Sequence, residues 1–214
     1  KKKKKISLIQ NKALELSMFL SIPALVALVI GSEEIISALF GYGSFTKNSV
    51  LNSSNALYYF SLGLPAFALI KVFSTFFFAN HDTKTPFYIS LVSVILNILI
   101  SVYFFKNIGF IIIPIATTIS SWFNSIVLFI FLKNNDLFSF NEIFFKKFVK
   151  IVFASITMGI FFQYLMIFFE KQLSYSYFFK SVYLLLCVLL AAIFYFILSY
   201  FIKAFNYRDI KLKY

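Results

Sequence analysis

Six stretches of about 20 predominantly apolar residues, at positions 14–30, 57–79, 86–105, 110–132, 148–169 and 178–202, constrain this chain more than anything else in it. About that many residues are needed for a helix to cross a hydrocarbon core of about 30 Å. The runs are continuously apolar and do not alternate, which excludes barrel strands. The chain is 61% hydrophobic and only 13% charged, against about 25% charged in a soluble domain. The fold class expected is therefore an all-α integral membrane protein of about six transmembrane helices.

The net charge of +12 does not point to nucleic acid, because the basic residues sit between apolar runs and not across a polar surface. Short polar links separate the runs: residues 41–55, 80–85, 106–109, 133–147 and 170–177. Gly31 is expected to end the first span. Ser32 would cap a short helix through Phe40, with Glu33 and Glu34 well placed in its first turn. Thr85 would cap the third span, with Pro86 at its first helical position. A basic start followed by an apolar run resembles a secretory signal. Gln10, Asn11, Glu15 and Pro23 interrupt that pattern, and no A-x-A-like site follows. The polybasic start at Lys1 in place of Met leads us to expect part of a longer chain.

Orientation follows from the positive-inside bias. With the N-terminus inside, the inner segments hold Lys1 to Lys5, Lys12, Lys84, Lys133, Lys146, Lys147, Lys150, Lys203, Arg208, Lys211 and Lys213, which is 15 of the 20 basic residues. The outer loops hold Lys47, Lys106, Lys171 and Lys180. Both ends are thus expected on the cytoplasmic side, with Lys1 to Lys5 a topology anchor or an attractor of anionic membrane lipid.

Lys71 falls within the second span. A cation deep in the bilayer costs about 2.5 to 3.5 kcal/mol on insertion scales and ordinarily faces a partner or a wet cavity. No Asp or Glu lies inside the other spans except Glu15, at the end of the first. The expected partner is therefore solvent, missing sequence or an anionic substrate. Pro23, Pro65 and Pro114 each remove a backbone donor, and Gly63 beside Pro65 makes the second span the candidate hinge. Asn97, Thr117, Thr118 and Asn124 need internal hydrogen-bond partners. Interhelical adhesion is the plain reading, and a weak cation site at Asn97 and Thr117, with Ser101 a turn away, is the sharper one. Trp122 reads as a packing or interface anchor, and Cys187 as a small buried residue. His81 and Asp82 are adjacent, yet no catalytic spacing, metal-ligand pattern or cofactor motif accompanies them.

Gly63-Leu64-Pro65-Ala66-Phe67 leading to Lys71, followed by Asn80-His81-Asp82-Thr83-Lys84-Thr85-Pro86, resembles the signature of the MurJ (MviN) family of lipid II flippases. The stretches 22–26, 39–46 and 115–124 resemble flanking segments of that family. The resemblance implies membership of the multidrug/oligosaccharidyl-lipid/polysaccharide exporter superfamily, with fourteen helices in two lobes. This chain would supply the ninth to fourteenth, so that 1–132 is part of the second lobe and 133–214 holds two additional helices and a tail. It further implies alternating-access transport of a lipid-linked anionic substrate, an undecaprenyl-pyrophosphate sugar, across the bacterial cytoplasmic membrane. The partners implied are that lipid, bilayer lipid and the missing N-terminal lobe. Lys71 matches a cationic position of the family, and Asn97 and Thr117 match positions associated with a cation site in some members. Ser101 stands where a carboxylate would strengthen that site, and no coupling ion is specified. The rival expectations are another exporter of the superfamily and a non-transporting membrane scaffold.

Overall fold

The computed structural model describes residues 2–204, with side chains from Ile6 onward. Lys1, Arg208, Lys211 and Lys213, and the side chains of Lys2 to Lys5, lie outside the described residues. The chain order is α1 (Lys2–Ile30), α2 (Ser32–Phe40), α3 (Lys47–Ser61), α4 (Leu64–Phe78), α5 (Lys84–Ile108), α6 (Ile112–Asn134), α7 (Glu142–Phe168), α8 (Glu170–Leu173) and α9 (Lys180–Phe201).

Membrane-crossing length and apolarity are met by α1, α7, α9 and the stretch Lys84–Asn134, with α3 and α4 together forming one broken candidate. The stretch Lys84–Asn134 is itself two crossings. Asn97 of α5 hydrogen-bonds Thr117 of α6 at 3.0 Å, and seven residues earlier on α5 Ser90 meets Asn124, seven residues later on α6. Pairing of that sense requires antiparallel helices, and the reversal is made at Gly109, whose φ of +73° suits glycine.

The chain divides into two compact units. The first comprises Lys1–Ser21 and Leu62–Phe148. Here α1 begins far earlier than its apolar run, and its polar start has a use. Gln10 and Asn11, both buried, donate to the carbonyls of Leu137 and Ser139, and Asn11 accepts the Asn141 N–H at 3.0 Å. The α6–α7 link, which is residues 135–141 and not 133–147, is thus tied to α1. Phe138 seals it by packing on Phe73, Phe76 and Phe129. Glu15 pairs with Lys147 at 2.7 Å.

The second unit comprises Ile22–Ser61 and Val149–Tyr214. On α9 the buried residues are Lys180, Leu184, Cys187, Ala191, Tyr195 and Ser199, a stripe at helical spacing. The opposite face carries exposed Leu185, Leu189, Ile193 and Phe196. An apolar face turned away from the protein suits lipid and not water. The link expected at 41–55 is shorter, because α3 starts at Lys47. Its cap is Thr46, whose hydroxyl accepts the Ser49 N–H at 3.2 Å. Helix α2 spans the residues expected, although Gly31 occupies the capping position and Ser32 makes no cap.

Glycines bring α1 and α7 close. A Cβ on Gly159 would lie 2.5 Å from Val26 Cγ1 and 2.8 Å from Ile30 Cδ1, the small-residue contact that lets membrane helices pack tightly. Helix propensity alone favours Gly159→Ala by about 1 kcal/mol, whereas overpacking costs about 1–3 kcal/mol. The expected outcome is a net loss of up to about 2 kcal/mol in a thermal melt. A variant melting above wild type would refute the close packing.

Candidate functional site

The break before α4 has a local cause. Pro65 sits at the start of the helix and donates no N–H. Gly63 adopts ordinary right-handed geometry (φ −86°, ψ −14°), so the interruption does not draw on glycine's freedom. The Leu62 carbonyl at the break accepts a hydrogen bond from Trp122 Nε1 at 3.0 Å. Trp122 therefore does more than the anchoring expected of it: it satisfies a carbonyl at the broken helix. Nothing in the sequence spacing linked the two.

Lys71 stands midway along α4, seven residues from each end, and is exposed. Among the described residues it makes no ion pair or hydrogen bond. Glu15, the carboxylate near the apolar spans, is engaged by Lys147.

Asn97 and Thr117 are brought together. Asn97 Nδ2 donates to Thr117 Oγ1 at 3.0 Å and Ser120 Oγ at 3.2 Å, while Ser101 Oγ donates to Asn97 Oδ1 at 3.3 Å. This seam joins α5 to α6, as interhelical adhesion requires. Its oxygens are neutral, a set that holds a hard cation weakly. A pocket of 310 Å³ opens along it, lined by Ser90, Asn97, Thr117 and Asn124 and faced by Phe67 and Ile70 of α4. Asn124 Oδ1 is buried there without a hydrogen-bond partner.

His81 and Asp82 form no acid/base pair; each terminates a helix. Asp82 N–H reaches the Phe77 carbonyl and His81 N–H the Phe78 carbonyl, with His81 at φ +60°, which is a Schellman end to α4. Asp136 and Lys203 close α6 and α9 with the same geometry. Asp82 Oδ1 accepts the N–H groups of Lys84 and Thr85 at 3.1 and 3.0 Å. Asp82 is therefore the cap of α5, where Thr85 was expected. The Thr85 hydroxyl, then the backbone N–H groups, hold its carboxyl below the usual carboxylate range.

A buried charge that the sequence reading missed is Lys180, counted above with the outer loops. It is 1% exposed. Its Nζ donates to the carbonyls of Gly41 at 2.6 Å and Tyr175 at 2.7 Å, and lies 4.4 and 4.6 Å from the ring centroids of Tyr42 and Tyr175. Two carbonyls and two π-faces take the place of a counter-ion. Gly41 must lack a side chain here, since a Cβ would lie 3.0 Å from Nζ and 2.5 Å from the Ser37 carbonyl. Around this centre Tyr42 shares a hydrogen bond with Ser181, Ser181 donates to the Ala38 carbonyl, and Tyr175 donates to the Phe45 carbonyl. The α2–α3 loop is thereby fastened to the segment entering α9.

The family model for "Lipid II flippase MurJ" matches residues 1–185. The chain belongs to the MurJ lipid II flippase family. It is similar to the probable lipid II flippase MurJ of Buchnera aphidicola subsp. Baizongia pistaciae, 32% identical over 83% of this chain and 34% of that protein. The probable lipid II flippase MurJ of Rickettsia prowazekii is 38% identical over 54% of this chain and 23% of that protein. The solved structure of lipid II flippase MurJ in an inward closed conformation superposes with a TM-score of 0.74 at 26% identity, over 97% of this chain and 40% of that one. The chain thus spans well under half the length of these MurJ relatives. Helical in its described residues and with several membrane-crossing candidates, it has the architecture of part of the MurJ fold.

Proposed function

We propose that this chain is the ninth-to-fourteenth-helix portion of a flippase that moves a lipid-linked peptidoglycan precursor, lipid II, across the bacterial cytoplasmic membrane by alternating access. The observation that carries the reading is Lys71, a cation inside the broken α3–α4 span, seven residues before its end at Phe78, with no protein counter-charge among the described residues, in a chain of the MurJ family. A charge so placed is matched by an anionic head group passing through a wet cavity. Residues 1–132 supply four spans of the second lobe, and 133–214 two additional helices. Both ends of the segment face the cytoplasm.

The break at Gly63 and Pro65 is the hinge about which α4 rocks as access alternates. Asn97 and Thr117 are the candidate pair for a coupling cation. The protein acts as a transporter and not an enzyme: the head group changes sides and no covalent bond changes. No nucleic acid takes part, and no resident cofactor is needed.

The test is reconstitution of the full-length protein in vesicles carrying a lipid-linked pyrophosphate sugar in one leaflet. The head group is expected to reach the opposite leaflet faster than in protein-free vesicles. A rate equal to the protein-free control, with folded protein present, would return the chain to the scaffold reading.

A further inference from the structure

A cavity of 670 Å³ lies within the second unit, between the first turn of α2, the start of α3, and α8. It is lined by Glu33, Glu34 and Glu170 and by Lys47 and Lys171. Five charges of both signs therefore surround one space. None forms an ion pair with another. The network around Lys180 fastens the α2–α3 loop to Tyr175, itself part of the cavity wall.

Two further observations mark the space as a receptor for a ligand. Glu34 is half-buried, and desolvation pushes its carboxyl above the usual carboxylate range, with the neighbouring Glu33 charge adding to the effect. Ser37, 6% exposed, also lines the cavity, and its hydroxyl has no hydrogen-bond partner. A buried donor left unsatisfied loses about 1–3 kcal/mol, which a bound polar group would restore.

We propose that this cavity binds a small zwitterionic ligand, a short peptide or amino acid with a free ammonium and a free carboxylate. The ammonium sits against Glu34 and Glu33, the carboxylate against Lys171 and Lys47, and a backbone polar group meets the Ser37 hydroxyl. The volume lies within the about 300–1,000 Å³ of small-molecule sites. A purely cationic ligand leaves both lysines unmatched, and a purely anionic one leaves three carboxylates unmatched. Only a ligand with both signs bridges the walls. The proposal goes beyond translocation and does not depend on it.

Titration calorimetry of the detergent-solubilised full-length protein with a zwitterionic tripeptide tests it, against the N-acetylated and C-amidated forms of the same peptide. Saturable binding is expected, weakened about tenfold or more by blocking either end, as loss of one charge-assisted hydrogen bond implies. Glu34→Gln is expected to weaken the free tripeptide about tenfold yet leave the N-acetylated form unaffected, and Lys171→Gln to do the same for the carboxylate end. Lys171 is exposed, so that variant keeps the test open should Glu34→Gln fold poorly. The proposal is overturned by no saturable heat up to about 10 mM peptide. It is overturned equally if all three peptides bind alike, or if a diamine binds and the tripeptide does not.

Discussion

Lys180→Met is expected to destabilise the full-length protein by about 2–4 kcal/mol, the largest loss among the charged side chains described. The ammonium donates two charge-assisted hydrogen bonds to backbone carbonyls, each worth about 1.5–3 kcal/mol net. Its stacking on Tyr42 and Tyr175 adds about 0.5–2 kcal/mol. Against this stands the desolvation of a charge, which methionine is spared. Breaking a buried ion pair costs about 3–5 kcal/mol because a bare charge is left behind. Here the remnants are the neutral carbonyls of Gly41 and Tyr175, so the loss falls somewhat lower. Lys180→Arg keeps the charge, yet its planar fork does not fit a site shaped for a point cation, and an intermediate loss is expected. The measurement is a thermal or denaturant melt of the purified protein. A Met variant as stable as wild type would mean that the ammonium is not held as described.

Lys180 was invisible in the sequence for a physical reason. Its partners are backbone carbonyls at positions 41 and 175, and a carbonyl has no residue type. The positive-inside bias counts such a lysine as a loop charge, and that count rewards exposure. Only the aromatic residues hinted otherwise: Tyr42 and Tyr175 lie in the two links that Lys180 joins. Asp82 was missed as a cap for a similar reason. Thr85 and Pro86 carried the familiar start signal, but the cap lies three residues earlier, where Asp82 accepts the N–H groups of Lys84 and of Thr85 itself.

What hydropathy measures was legible. The apolar runs became α1, α5, α6, α7 and α9 because membrane burial needs both a helix and an apolar surface. The second run showed only its α4 half clearly. Asn48, Ser49, Asn52, Ser53, Ser54 and Asn55 lower the hydropathy of α3, yet backbone hydrogen bonding and the Thr46 cap carry the helix back to Lys47. The polar residues of α5 and α6 were legible as well. Asn97, Thr117 and Asn124 had to find partners in an apolar setting, and they found them across the same helix pair. The compact units are groupings by proximity, whereas the division at residue 132 concerns place in a longer fold, so the two partitions answer different questions.

Lys71→Ala is expected to abolish rescue of a flippase-depleted strain by the full-length protein, at unchanged protein level and stability. The stability half follows from position. Lys71 is exposed and makes no hydrogen bond or ion pair among the described residues, so removing it breaks no polar interaction within them. Insertion of a lysine inside an apolar span is opposed by up to about 2.5–3.5 kcal/mol, the cost at the bilayer centre, so alanine leaves the fold equally or more stable. The functional half follows from the same isolation. If Lys71 faces the path of an anionic head group, it contributes one charge-assisted contact of about 1.5–3 kcal/mol. Its loss then slows translocation by about 10- to 100-fold. Lys71→Arg keeps the charge and is expected to retain more activity than alanine, because a guanidinium also pairs with phosphate oxygens. A structural lysine gives the opposite pattern, with a lower melting temperature and intact rescue. Full rescue by Lys71→Ala at normal protein level would remove Lys71 from the translocation path and leave it a snorkelling cation at the bilayer face.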